Sequence, residues 1–363
     1  MKTKPVDKLL MIIAISGFCW GFTQGNERAE EENHSADPWQ VIQLDTKASL
    51  RGLHVFSDST IWASGTGGTI AHSTNGGKTW NVCIVPGAEN LDFRDIHAIN
   101  PQTIVAMTSG TPACVYRSTN GGNDWQRVYE NKDEKVFLDA LSFLDQENGI
   151  IMGDPIDGKI FLLTTSDGGV TWKPANNSPE TRPGEAGFAA SGTNMITTFG
   201  SNIYIALGSA LKGQVNDTSR IAISQDAGKQ WEMANVPIPR DPSSGIFSVC
   251  FFNQKCGVVV GGNYTLADDK THNYAVSSDG GMTWNIPNAA KPPSGFRSCV
   301  THAIHRGTPC AITVGPSGTD ISFDFGHTWK RISETGFHSI QFSPKGTRGW
   351  ASGSDGRIGF WKQ

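Results

Sequence analysis

Three arginines and a histidine stand at matching places in four short apolar phrases: Arg51 in LRG, Arg94 in FRD, Arg297 in FRS and His338 in FHS. A planar guanidinium presents a fork of N–H donors that fits carboxylate and sulfate oxygens. Several forks converging on one point make an acid-binding site. Leu138 and Ser248 fill the same column in two other segments, and Glu185 is expected to approach it from the far side. The chemistry on offer is capture of an acidic group, on a small molecule or on an acidic protein segment. Catalytic groupings are poorer. Asp139 or Asp154 with Glu185 would have to serve as the carboxylate pair of a glycosidase. The sequence carries no nucleophile–base constellation, phosphate loop or dinucleotide fingerprint. A binding protein is expected, with a glycosidase as the alternative.

The elements that must position these residues announce themselves by repetition. The octet STNGGKTW (Ser73–Trp80) returns in variants starting at residues 118, 165, 224, 277 and 322, at intervals of 45 to 59 residues. A period of that size, with several short apolar runs per unit, marks a β-propeller of four-stranded blades. Each unit reads as strands A to D, with the octet at the C–D turn. The C-terminal segment supplies GFHSIQF, GWASGS and GRIGFW, which are strands A, B and C without D. PWQVIQL at Pro38–Leu44 has the look of a strand D, so Trp39 stands where the octet tryptophan would be. The expected fold is all-β: a seven-bladed β-propeller over residues 38–363, its last blade completed by the N-terminal strand. Closure of this kind removes exposed sheet edges.

The octet itself reads as a structural joint. Asn75, Asn120, Asp167, Asp226, Asp279 and Asp324 can accept hydrogen bonds from their own turns. The glycines supply backbone angles that side chains disfavour. Trp80, Trp125, Trp172, Trp231, Trp284 and Trp329 are expected to bury large apolar areas at the start of strand D. Asparagine in the first two octets weakens any calcium reading, and no metal or other cofactor is called for. In a four-stranded blade the A–B and C–D turns share one face. Strand A begins on the opposite face, so the arginine column belongs at a channel mouth there. That face also takes the long loops Ser209–Ser219, Asn263–Asn273 and Pro174–Gly187.

The remaining features bound the setting. Lys2, Lys4 and Lys8 precede the apolar run Leu9–Ile15, the layout of a secretory signal over residues 1–25, too short for a comfortable membrane span. Residues 26–37 read as an acidic linker. An exported protein, periplasmic or secreted, is expected. A net charge of −4 with scattered basic residues gives no reason to expect nucleic-acid binding. Six cysteines remain after Cys19, in no zinc spacing. Cys250 with Cys256, and Cys299 with Cys310, are expected across A–B hairpins within disulfide reach.

The repeat resembles the Asp-box (BNR) propellers, which include sialidases and several non-enzymatic proteins. The phrase LRGLHVFSDSTIWASGTGGTIAHSTNGGKTW is more narrowly similar to the photosystem II stability/assembly factors, exported seven-bladed propellers. That resemblance implies a protein-binding role and an arginine-rich recognition patch, to which Arg51, Arg94 and Arg297 would belong. A sialidase would need a tyrosine nucleophile near the arginines and an Arg-Ile-Pro phrase. No tyrosine lies in a strand A near the column, and Arg94 is followed by Asp95-Ile96.

Overall fold

The octets fold as hydrogen-bonded turns, all built alike. The computed structural model describes residues 37–212, 217–288 and 291–362. In the first octet the Ser73 hydroxyl accepts from the Gly77 N–H (2.9 Å) and donates to Asn75 Oδ1 (3.0 Å), which also accepts from the Thr79 N–H (3.0 Å). Asn120, Asp167, Asp226, Asp279 and Asp324 repeat the pattern. The indoles of Trp80, Trp125, Trp284 and Trp329 close the turn by donating to the carbonyl three residues back. Burial of the tryptophans is less uniform than expected: Trp172, Trp284 and Trp329 are buried, whereas Trp80, Trp125 and Trp231 are only half-buried.

Seven antiparallel sheets result, none sharing a strand with another. Their innermost strands are Leu50–Val55, Asp92–Ala98, Leu138–Phe143, Met195–Thr198, Ser244–Phe251, Cys299–His305 and Ser339–Phe342, for blades 1 to 7 in order. Blade 5 has three full strands, and a lone bridge between Val276 and Asn285 stands in for its fourth. Blade 7 is completed by Trp39–Gln43, which pairs antiparallel with Arg357–Trp361. The Trp39 indole, lacking an octet of its own, donates to Thr319 Oγ1 of blade 6 (2.9 Å). The chain is an all-β seven-bladed propeller. Its core lies between blades, as where Trp62 of blade 1 stands against Gly122 in the octet of blade 2.

The octets share one face with the A–B turns. In blades 1 to 5 the octet donates a backbone N–H to the A–B turn of its own blade, from Gly76, Gly121, Gly168, Ala227 and Gly280 to Ser59, Gln102, Glu147, Ser201 and Lys255. The compact unit begins at Asp37, whose carboxylate accepts from Ser333 and Thr335. The expected signal segment 1–25, and the linker up to residue 36, lie outside the described residues.

The disulfide expectation fails. All six cysteines of the propeller are free thiols. The ladder explains why: Cys250 faces Val258 rather than Cys256, while Cys299 faces Val314 and Cys310 faces Ala303. Each expected pair is out of register.

Candidate binding site at the channel mouth

Strand A of blade 1 pairs Leu50 with Gly65 and then Gly52 with Ser64, leaving Arg51 unpaired in a bulge. The same skip leaves out Arg94 in blade 2, Asp139 in blade 3 and Phe247 in blade 5. Ser298 and His338 take the corresponding place in blades 6 and 7, donating their N–H groups to Val314 and Ser352. A bulge re-aims one side chain off the regular pleat. Here it turns a residue of each of six blades into one cavity of about 500 Å³, lined by Arg51, Arg94, Asp139, Phe247, Ser298 and His338.

Arg51, Arg94 and His338 are thus brought together as the sequence predicts, from adjacent blades. Arg297 is not. It occupies the interior position held by Leu50 in blade 1: a Cβ on Gly65 would meet Leu50 Cα, and one on Gly315 would meet Arg297 Cα. A slip of one residue along a strand moves a side chain to the other face. Arg297 is fully buried, and its guanidinium pairs with buried Asp320 at 2.6 Å and donates to the Phe296 carbonyl (2.8 Å) and to Ser317 Oγ (3.0 Å). Leu138 and Ser248 are displaced from the column by the same slip, in favour of Asp139 and Phe247. Glu185 also lies elsewhere, buried and paired with Arg220 at 2.5 Å. Neither Arg297 nor Glu185 has a charge to offer at the mouth.

Blade 4 has no bulge residue there, because the chain before its short first strand runs across the mouth instead. The Arg94 Nη1 donates to the Ala189 carbonyl at 2.6 Å, and Gly187 N–H donates to Asp154 Oδ1 at 3.2 Å. Ser191 Oγ donates to the Ser298 carbonyl (2.9 Å), and Thr193 Oγ1 meets Ser248 Oγ (2.7 Å). Two glycines let this crossing segment lie close: a Cβ on Gly187 would fall 2.7 Å from Asp139 Oδ2, and one on Gly192 2.4 Å from the Asp95 carboxyl. The segment divides the channel. Gly187–Ala190 line the mouth cavity, and Ser191–Thr193 line a second one of about 350 Å³ beyond it.

Electrostatics separate the three basic residues. Arg94 is ion-paired with Asp92 (2.6 Å). His338 is neutral, its pKa pushed down to about 3 by burial and by Arg51, Arg94 and Arg357; its Nε2 sits between the Ser49 and Ser354 hydroxyls. Arg51 makes no hydrogen bond or ion pair among the described residues, so its guanidinium is the open fork at the mouth. Asp139 is 1% exposed, with both carboxyl oxygens unpartnered among the described residues. Burial and then Asp154 push its pKa well up. An aromatic wall of Phe137, Phe188, Phe247, Tyr264 and Phe296 completes the cavity, with Phe188 and Phe247 stacked at 4.0 Å. Geometrically the mouth can hold a carboxylate on Arg51 with an apolar or aromatic group beside it.

A profile described as the photosynthesis system II assembly factor Ycf48 matches residues 31–133, the stretch that holds the first two blades with Arg51 and Arg94. The fold agrees with it: the structure of a Ycf48 bound to a D1 peptide superposes with a TM-score of 0.63 at 17% identity, covering 91% of this chain and 98% of that one. The chain is similar to the photosystem II assembly factors over residues 31–133 and has their propeller fold. Ycf48 from Cyanidioschyzon merolae superposes similarly on the propeller (TM-score 0.60, 16% identity, 90% and 99% covered). So does the WD40 domain of Neurospora crassa Pan2 (0.58, 12%, 91% and 97%), so the likeness in shape reaches beyond assembly factors. The photosystem II assembly lipoprotein Ycf48 of Picosynechococcus sp. is 34% identical over 79 residues. That stretch is 21% of each protein, so the match spans about a fifth of the curated relative's length.

Proposed function

We propose that this assembly factor-like propeller is an exported, non-enzymatic binding protein that captures a protein partner through the Arg-bearing channel mouth. The observation that carries this reading is Arg51: a guanidinium with no hydrogen bond or ion pair among the described residues, attracted only across space by Asp92, facing an aromatic-walled cavity in the stretch that the Ycf48 profile matches. The group it takes is a carboxylate of the partner, seated beside an apolar or aromatic side chain. A Ycf48 bound to a D1 peptide supports a peptide-sized partner, and the lipoprotein relative supports export. Octet turns of the Asp-box kind hold the frame on the opposite face.

The glycosidase alternative draws no support from the mouth. Glu185 is committed to Arg220, and a Cβ's width of space is missing between Asp139 and Gly187.

The test is capture from a native extract by the full chain and by Arg51→Ala, with thermal unfolding of both as the control for folding. Arg51 has no internal bond to lose, so R51A should unfold like the parent while capturing markedly less. Equal capture by the two would overturn the reading. A glycosidase substrate panel on the same samples should give no turnover.

A further inference from the structure

The sixth octet departs from the others. Its sequence, SFDFGHTW, puts Phe323 and Phe325 where the first has Thr74 and Gly76. Phe325 takes φ +58°, the left-handed region that glycine occupies at Gly76, Gly121, Gly168 and Gly280. A bulky residue is disfavoured there. Burial does not explain it, since Phe323 is 54% and Phe325 50% exposed. A strained, exposed aromatic pair at a turn tip is a candidate for recognition.

The surroundings are cationic. The Phe325 ring lies 5.3 Å from Phe252, which opens the A–B turn holding exposed Lys255. The Phe323 ring lies 6.3 Å from His305, beside exposed Arg306. Ile304 N–H donates to the Gly346 carbonyl, next to exposed Lys345. Within the turns 253–256, 305–307, 323–327 and 343–347 the one acidic residue is Asp324, and its carboxylate is turned inward onto Ser322 and Thr328. Across the same face, the A–B turn of blade 3 presents Asp145 and Glu147 instead, while the octet carboxylates Asp167 and Asp279, like Asp324, are turned inward onto their own turns. The octet face is therefore polarised, cationic and apolar around these four turns of blades 5 to 7, acidic at the A–B turn of blade 3.

We propose that this edge of the octet face docks on an anionic membrane surface, with Phe323 and Phe325 entering the interface and Lys255, Arg306 and Lys345 facing the headgroups. Apolar tips combined with basic residues are what such a surface attracts. Charges spread over three separate turns suit a laterally mobile layer of anionic headgroups better than one shaped acidic partner. Strand A begins at the mouth and ends at the octet face, so docking here leaves the mouth pointing away from the bilayer and open to its partner.

The test is flotation of the purified full chain with phosphatidylcholine vesicles, with and without phosphatidylglycerol, comparing the parent with Phe323→Ser/Phe325→Ser. The parent should float with the anionic vesicles only, and less so at high salt. The double variant should bind about tenfold more weakly. A Lys345→Glu/Arg306→Glu variant should lose the dependence on phosphatidylglycerol. Because all variants share one N-terminal segment, its own affinity for lipid cancels. Failure of the parent to bind anionic vesicles would overturn the proposal, as would equal binding by the double variant. So would sedimentation showing a dimer that F323S/F325S dissociates, since the patch would then be a contact between copies.

Discussion

The Arg94 guanidinium donates to the Ala189 carbonyl at 2.6 Å, tying the rim of blade 2 to the segment that crosses the channel. A residue of the binding mouth thus also holds the mouth's floor in place. Charge-assisted hydrogen bonds of this kind are stronger than neutral ones. Arg94→Ala should therefore loosen residues 187–190 as well as remove a positive charge. Hydrogen exchange followed by mass spectrometry would show it: peptides covering Gly187–Ala190 should exchange faster in R94A, while those from the octets stay unchanged. Arg51→Ala, which breaks no such bond, should leave the exchange of that segment as it is. If R51A and R94A speed it equally, the latch is not Arg94.

Arg297 and Asp320 form an ion pair with neither side chain exposed. Removing one member of a buried pair strands the other's charge and costs about 3–5 kcal/mol. Arg297→Ala should lower stability by that amount in urea unfolding, and Asp320→Ala likewise. Leu50 and Leu138 hold the equivalent position with apolar side chains, so the site itself does not require charge. The double variant Arg297→Leu/Asp320→Asn should consequently be destabilised by much less than the sum of Arg297→Leu and Asp320→Asn measured singly, a coupling that this double-mutant cycle reads.

The legible part of this molecule was its repeat. Octet spacing fixes six C–D turns, and the missing strand D beside PWQVIQL identifies both the seventh blade and the place of Trp39. The mouth was readable only in part, because a bulge adds a residue that alignment by phrase cannot see. FRD and FRS look alike, yet Arg94 is the bulge residue while Arg297 is the interior residue before one. A usable signal lay in strand B. Gly65, Gly153, Gly261 and Gly315 each stand where a Cβ would strike the backbone at the start of strand A, and counting register from Gly315 places Arg297 in the interior; blade 2 has Thr108 at that place, so no glycine marks Arg94. The crossing segment gave less warning: GEAGFAASGTN shows only that blade 4 is irregular, and nothing in it states which carboxyls it will cover.

Asp95 lies beneath Gly192, accepting from the Leu141 and Ile96 N–H groups, and burial holds its pKa up at about 7 against their pull. Unfolded, an aspartate titrates near about 3.9. A folded pKa above the unfolded one means that the folded state binds the proton more tightly. Its contribution to stability is complete below the unfolded value and is lost as pH rises through about 7. Asp95→Asn removes this dependence. The stability difference between parent and D95N should shift by about 2–3 kcal/mol in the parent's favour between roughly pH 7.5 and pH 5. His54, whose pKa burial lowers to about 4, works in the opposite sense but is present in both proteins and cancels. Urea midpoints at several pH values would measure the difference, and parallel curves for the two proteins would refute it.

Phe325 holds a left-handed backbone angle in a turn whose counterparts in four other blades use glycine. Such a conformation costs a residue with a side chain roughly 1–2 kcal/mol. Against that stands a half-exposed ring contact with Phe252, which is itself half-buried. Phe325→Gly should therefore stabilise the propeller by about 1 kcal/mol or less, after the lost contact and the added freedom of the unfolded chain are subtracted. Phe323→Ser, at a position without a left-handed angle, should leave stability nearly unchanged. Thermal unfolding of the two variants separates them. A rise for F325G together with weaker binding to anionic vesicles would show that the aromatic is held at this turn for recognition and against stability. A clear loss of stability would instead mark Phe325 as a packing residue of blade 6 and remove the strain argument for the surface.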